Sequence, residues 1–333
     1  MYLVLPRATL WGREIRPKCE VSTLQLLSTF EVPQAAAALL DRFLAADEVL
    51  LIEALDSAEF SVQDAVVALE AATREPWPVQ RIDELLRSAY RRGVLELVDD
   101  TFTCYRLGTF YGRLSVFVVS QPDTYLALPA ETRSALDAWC FGTYVGGLGH
   151  EERPTSDRVL TLAQTLEFID TSQRPIWLNR CDCRTLAGDC GKPTDTCVTF
   201  KSGINTLSHR GWSRPLSKTE AKAVVTRANK VGLMQTVNDN GICNCCSDCC
   251  YLFRAQAARG TGRAWPLAEQ VAAFDADVCT ACLACVRRCP FEVFELVDGR
   301  VVQHAELCRG CGLCVDACRF GALEMRTETP ART

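Results

Sequence analysis

Cysteine is the residue that most constrains what this chain can fold into. Seventeen of the 20 cysteines lie between Cys181 and Cys318, and eight of these form two runs of identical spacing. The runs VCTACLACVRRCP and LCRGCGLCVDACR both read C-x2-C-x2-C-x3-C, and their first cysteines, Cys279 and Cys308, are 29 residues apart. Zinc ribbons use separated cysteine pairs instead, and disulfides are rare where thiols are kept reduced. The spacing therefore predicts iron–sulfur clusters held by thiolates.

The two runs have the spacing of bacterial ferredoxins with two [4Fe–4S] clusters, in which the fourth cysteine of each run ligates the other cluster. We therefore predict that one cluster is bound by Cys279, Cys282, Cys285 and Cys318. The second cluster is then bound by Cys308, Cys311, Cys314 and Cys289. Crossed ligation of this kind would hold the clusters close together, so that electrons can pass between them.

A second group of cysteines lies in the middle of the chain. Its nine members are Cys181, Cys183, Cys190, Cys197, Cys243, Cys245, Cys246, Cys249 and Cys250. They could bind one or two additional [4Fe–4S] clusters, or a zinc ion with buried free thiols left over. Successive side chains diverge in most backbone conformations, so one member of each adjacent pair, Cys245–Cys246 and Cys249–Cys250, is expected either to bind a different cluster or to remain a free thiol. The choice of ligands stays open, as does the role of Arg184, which could contact a cluster or lie on the surface.

Three domains are expected from the pattern of the remaining sequence. Residues 1–150 predict helices followed by a strand, a turn and a strand, which is the order of a winged helix. Residues 151–265 predict an α/β cysteine-rich domain, with a helix over 159–170, a strand that ends at Cys181 and a capped helix after Ser217. Residues 270–326 predict the ferredoxin-like domain. The fold class is therefore α+β and multidomain. The isolated Cys19, Cys104 and Cys140 are expected to be buried apolar side chains rather than ligands.

Charge and hydropathy limit which partners and which cellular location we expect for the protein. Residues 1–150 contain 20 acidic and 13 basic side chains, which argues against a nucleic-acid partner. The apolar runs are far shorter than the roughly 18 residues of a membrane span, and the amino terminus lacks the apolar stretch of a signal peptide. We expect a cytoplasmic protein without a membrane span. No glycine-rich segment matches a nucleotide fingerprint.

Several of these segments together resemble a family of 4Fe–4S dicluster-domain proteins found mainly in anaerobes. The similarity includes the CxCR segment at Cys181–Arg184, the later Cys190 and Cys197, the ICNCC run at Ile242–Cys246 and the terminal ferredoxin domain. Family members often end the middle run with three consecutive cysteines, whereas here Ser247 and Asp248 precede Cys249 and Cys250. The resemblance implies a winged-helix-like amino-terminal domain and electron transfer within a larger redox system of anaerobic metabolism.

Three functions follow as hypotheses. The first is an iron–sulfur protein or subunit that passes low-potential electrons between redox partners in an oxidoreductase complex, rather than a stand-alone enzyme. The second is a reductase in which a middle-domain cluster and free thiols form a catalytic site fed by the ferredoxin domain. The third is a redox-sensing winged-helix regulator, in which the helix from Pro78 to Arg92 would read DNA.

Overall fold

A small sheet and the helices around it form the amino-terminal part of the chain. The structure, a computed structural model, describes residues 28–55, 59–188 and 190–328, so Cys19 lies outside the described residues. Six helix and strand segments, in the order helix–strand–helix–helix–strand–strand, are α3 Ala46–Ala54, β1 Glu59–Ser61, α4 Val62–Thr73, α5 Val79–Arg92, β2 Leu95–Leu97 and β3 Cys104–Leu107. The strands form an antiparallel sheet in the order β1-β3-β2. The helices and the hairpin after them follow the order that the sequence predicts, and the short strand β1 is an addition to it.

Further helices precede and follow this sheet in the sequence. They are α1 Gln34–Ala37, α2 Leu40–Phe43, α6 Phe110–Ser120, α7 Pro122–Leu126 and α8 Ala130–Gly147. Buried aromatic rings hold them together, since Phe43 packs edge-on against Phe110 and Phe117 at centroid distances of 5.1 and 5.0 Å. Leu186 and Tyr251 from the cysteine-rich region complete the same apolar core. The amino-terminal and middle parts are thus packed together.

The middle part is built on a six-stranded antiparallel sheet in the order β4-β8-β9-β6-β5-β7. Its elements are β4 Arg158–Leu160, α9 Leu162–Thr171, β5 Ile176–Arg180, α10 Asp182–Ala187, β6 Asp195–Thr199, β7 Arg214–Leu216, α11 Lys218–Lys230, β8 Met234–Asn238, β9 Gly241–Cys245 and α12 Tyr251–Arg259. The single helix expected over 159–170 is wrong at its start. Thr161 caps the helix by accepting a hydrogen bond from the Gln164 amide (3.3 Å), and the residues before it pair with β8 instead.

The carboxy-terminal part contains two short antiparallel pairs, β10–β13 and β11–β12. The elements are β10 Gln270–Phe274, α13 Ala284–Arg288, β11 Phe294–Val297, β12 Arg300–Gln303, α14 Leu313–Ala317 and β13 Leu323–Thr327. Each short helix begins inside one cysteine run, which places the third cysteine of the run in its first turn. None of the helices in the described part of the chain is long and apolar enough to cross a membrane.

The helix that would read DNA in a regulator, α5, is engaged within the protein. Arg81 pairs with Asp47, Arg87 pairs with Asp83, and Arg92 pairs with the buried Glu48. The remaining arginine of the helix lies over the Trp212 ring, 4.6 Å from its centroid. On the same helix Tyr90 hydrogen-bonds His209 of the middle part (2.6 Å). Each of these arginines thus has a partner within the chain, although the pairs of Arg81 and Arg87 are half-exposed at the surface.

Candidate iron–sulfur and thiol sites

The eight carboxy-terminal cysteines lie around two small cavities. One cavity is lined by an outer quartet, Cys279, Cys282, Cys285 and Cys318. The other is lined by an inner quartet, Cys289, Cys308, Cys311 and Cys314. Each quartet combines three cysteines of one run with the fourth of the other run, which is the crossed grouping that the sequence predicts. Four thiols around a cavity with mostly apolar walls fit a cubane, whose ligands are cysteine thiolates.

The backbone of both runs turns sharply between the cysteines. Ala281 and Leu283 in the first run have φ angles of 51° and 62°, and Gly310 and Gly312 in the second have 73° and 74°. Positive φ angles curl each run around its cavity. Glycine is required at position 310, because a Cβ there would lie 2.5 Å from the carbonyl oxygen of Gln270. The second run is thus pressed closely against β10.

The two quartets differ in exposure. In the outer quartet Cys282 is exposed and Cys279 and Cys318 are partly so. In the inner quartet all but Cys289 are buried. The inner side packs on the middle part of the chain, since one apolar cluster contains Cys311 and Leu313 together with Cys245 and Cys250. A further contact joins Phe291, beside the inner quartet, to Phe253 of α12, with ring centroids 5.5 Å apart.

Most of the middle cysteines face a third cavity, which is larger than the two of the quartets and has a volume of about 620 Å³. We call the cavity thiols those that line it from the cysteine-rich region: Cys183, Cys197, Cys243, Cys245 and Cys250. Cys250 hydrogen-bonds Cys245 with a sulfur–sulfur distance of 3.1 Å. Cys183 hydrogen-bonds Cys181, which adds a sixth thiol at the edge of this group. The six thiols exceed the four that a cubane requires.

Strand periodicity explains why these thiols share a face. Cys243 and Cys245 are two residues apart on β9, so both point to the same side of the sheet. The neighbouring strand β6 pairs with β9 and presents Cys197 on that side, where its thiol hydrogen-bonds Cys243. Hydrogen bonds from Cys197 and Cys245 lower the pKa of the Cys243 thiol. Hydrogen bonds with neighbouring thiols and burial raise the pKa of Cys183, Cys197 and Cys245, so Cys243 is the member of the row whose thiolate form is favoured.

The other middle cysteines form a compact group on a different side of the backbone. This compact group is Cys190, Cys246, Asp248 and Cys249, whose ligand atoms all lie within 4.8 Å of one another. Cys245 and Cys246 thus belong to different groups, and so do Cys249 and Cys250, because adjacent side chains diverge. A hydrogen bond from Cys249 lowers the pKa of the Cys246 thiol to about 6.

Arg184 lies between the two groups and is buried, with 3% of its surface exposed. Its guanidinium donates to the carbonyl of Pro193 (2.5 Å), to Thr196 Oγ1 (3.1 Å) and to the carbonyl of Asn244 (2.6 Å). Burial lowers its pKa, but the neighbouring Cys181 and Cys246 together raise that pKa by more, so that the net pKa is above the usual value. Of the two alternatives left open for Arg184, the surface position is wrong, because the side chain is buried and hydrogen-bonds three segments around the thiols.

The far wall of the larger cavity comes from residues that the sequence does not single out. Tyr111 and Tyr144 reach it from α6 and α8, Asn179 from β5, and Lys201 from the loop after β6. Cys140 is buried, as expected, but it also lines this cavity. Nothing in the spacing of these residues predicts a shared wall, since they come together only when the domains pack. Asp248 was also missed, although an acidic residue inside a cysteine run is itself a signal of a mixed ligand set.

One comparison with known proteins is informative. Residues 272–319 match the family of 4Fe-4S dicluster domains. No curated protein matches the chain. The match includes all eight cysteines of the two quartets, and it implies two [4Fe–4S] clusters in this part of the chain and a role in iron–sulfur electron transfer.

Proposed function

We propose that this chain is a cytoplasmic electron-transfer protein of an oxidoreductase system, in which electrons enter at the outer quartet and pass through the inner quartet to the cavity thiols. The outer cluster would be held by Cys279, Cys282, Cys285 and Cys318, and the inner cluster by Cys308, Cys311, Cys314 and Cys289. The packing of the inner quartet against Cys245 and Cys250 carries the proposal. A cluster buried on that side exchanges electrons best with a centre in the middle domain.

The cavity thiols would hold a third [4Fe–4S] cluster. Six thiols lie there, counting Cys181, and a cubane takes four of them. The surplus thiols would remain beside the cavity. The amino-terminal part, with its winged-helix-like order of elements, would serve as a docking module for another redox subunit. A DNA-reading role lacks support, because the arginines of α5 are engaged within the chain.

The route can be tested by mixing the anaerobically purified protein with a reduced low-potential bacterial ferredoxin and freezing samples at short times for electron paramagnetic resonance. We expect signals of the ferredoxin-domain clusters first and of the middle-domain cluster afterwards. A Cys282→Ala variant that loses the outer cluster should delay the later signal, whereas Cys104→Ala, in the amino-terminal sheet, should not. Unchanged reduction of the middle domain in Cys282→Ala would contradict the route.

The larger cavity favours a second candidate, a reductase. Its volume of about 620 Å³ is in the range of small-molecule sites, and polar side chains such as Lys201 and Asn179 face the thiols. A low-molecular-mass disulfide would gain two electrons, one from each ferredoxin-domain cluster, and two protons, to leave as two thiols. The cavity would place the disulfide beside the thiols that the cluster leaves free.

Steady-state assays with reduced methyl viologen as donor and oxidised glutathione as a probe disulfide test this candidate. Disulfide-dependent oxidation of the viologen is expected in the parent. It should be lost in a Cys250→Ser variant that retains its iron, and retained in Cys104→Ser. Iron-replete parent protein without any disulfide-dependent oxidation would refute the reduction of this probe, while the electron route above would be untouched.

A further inference from the structure

We infer that the compact group, Cys190, Cys246, Asp248 and Cys249, binds a single zinc ion and not an iron–sulfur cluster. Its four ligand atoms lie within 4.8 Å of one another. Ligands at about 2.3 Å from a tetrahedral ion are separated by about 3.8 Å, so the group needs only a small contraction to hold one ion. A cubane would instead separate its ligands by the width of the whole cluster. Among the described residues, no other set of metal-ligating side chains is gathered this tightly.

The donors suit zinc in kind and number. Three thiolates and one carboxylate fill a tetrahedron without an open position, which is the arrangement of a structural zinc site. Soft thiolates select zinc over magnesium or calcium, and zinc binds more tightly than ferrous iron to a given site. Asp248 thereby supplies the fourth ligand at the point where the sequence departs from a run of consecutive cysteines.

Neighbouring groups compensate the charge of such a site. Four anionic ligands around a divalent ion leave a charge of about −2. The Arg184 guanidinium interacts electrostatically with Cys246, and the backbone amide of Lys192 does so with Cys190. The Lys192 ammonium lies close by, within hydrogen-bond reach of the Gly232 carbonyl (3.4 Å). On the apolar side Ala228 and Leu233 pack against the buried Cys246 and Cys249, which excludes water from two of the ligands.

The position of the group gives the ion a structural role. Cys190 lies in the loop between α10 and β6, and the other three ligands lie in the turn between β9 and α12. The cavity thiols lie in the elements that flank these two stretches and at the end of the turn: Cys183 in α10, Cys197 in β6, Cys243 and Cys245 in β9, and Cys250 just before α12. An ion here would fix the separation of these stretches, and with it the spacing of the thiols that the proposed function requires. The inference goes beyond that function, because the ion itself carries no electron.

The zinc and iron content of full-length protein, purified anaerobically from cells grown with both metals, tests the inference. We expect about one zinc per chain, in addition to the iron of the ferredoxin-domain clusters. A Cys246→Ser/Cys249→Ser variant should lose at least about nine-tenths of the zinc and keep the ferredoxin-domain iron. The matched control Cys250→Ser changes a neighbouring cysteine that belongs to the cavity thiols, and it should keep its zinc.

A second measurement covers the case in which the double variant does not fold. Parent protein and an Asp248→Cys variant would both be produced in cells grown with cobalt in place of zinc. Both should show the visible absorption bands of tetrahedral Co²⁺. The bands should shift in Asp248→Cys, because a fourth thiolate replaces the carboxylate. Absence of zinc from the parent, zinc retained by the double variant, or cobalt bands that are identical in parent and Asp248→Cys would each overturn the inference. Extra iron that is lost only with the compact group would show a cluster there instead.

Discussion

Replacement of Arg184 by methionine tests whether the thiol sites depend on this buried cation. Methionine keeps much of the apolar volume but removes the hydrogen bonds to Pro193, Thr196 and Asn244. Charge-assisted hydrogen bonds contribute about 1.5–3 kcal/mol each, and a buried carbonyl left without a partner costs about 1–3 kcal/mol. Two of the three acceptors are carbonyls, of which that of Asn244 is buried and that of Pro193 is only partly buried. We therefore expect a loss of about 3–6 kcal/mol, a large part of the roughly 5–15 kcal/mol that stabilises a typical domain.

Anaerobic denaturant unfolding, followed by intrinsic fluorescence and by cluster absorbance, measures this loss. Arg180→Met is the matched control, because Arg180 lies four residues earlier and in a partly exposed position, where it pairs with Asp195 at 3.5 Å and donates one hydrogen bond to Thr194 Oγ1 (2.7 Å). That control should cost no more than about 1 kcal/mol. Arg184→Lys should fall between the two, since it keeps the charge but not the forked hydrogen bonds. A loss below about 1 kcal/mol in Arg184→Met would refute the argument that this side chain holds the three segments together.

Three further outcomes follow from the ferredoxin-like part. Gly310→Ala should destabilise the chain by about 2–4 kcal/mol and lower its iron content, because the added Cβ would lie 2.5 Å from the Gln270 carbonyl oxygen and the φ angle is positive. Thermal melts and iron assays measure the two effects. Gly299→Ala, which has open space around the added Cβ, should have a smaller effect. Brief exposure to air should destroy the outer cluster first, because Cys282 is exposed, whereas loss of both clusters at one rate in electron paramagnetic resonance would contradict this order. Arg287→Glu, on the exposed surface beside the outer quartet, should slow reduction by an acidic ferredoxin at low salt and have little effect at high salt, as stopped-flow mixing would show.

The quartets could be predicted from the sequence because their ligands are set by local spacing. Each run wraps one cavity over a few residues, and the spacing of the fourth cysteine commits it to the other cavity, as the structure places Cys289 and Cys318. The amino-terminal helices and hairpin were also predictable, since hydrophobic period and turn residues act over short distances. The start of α9 was not, because Val159 pairs with a strand more than 70 residues away, and no local signal reports that pairing.

The grouping of the middle cysteines could be predicted from the sequence only in part. Adjacent side chains diverge, so the order of residues is enough to predict that Cys245 and Cys246 do not both serve one cluster, but not whether the second of them belongs to another site or is a free thiol. The partners of each could not be predicted, because Cys197 reaches Cys243 only through the pairing of β6 with β9, and Cys190 reaches Cys246 from a separate loop. The turn between β9 and α12 then returns Cys249 to Cys246 and Cys250 to Cys245. One short, cysteine-dense segment thus supplies ligands on both sides of the sheet, and this explains why it holds more thiols than one metal site needs.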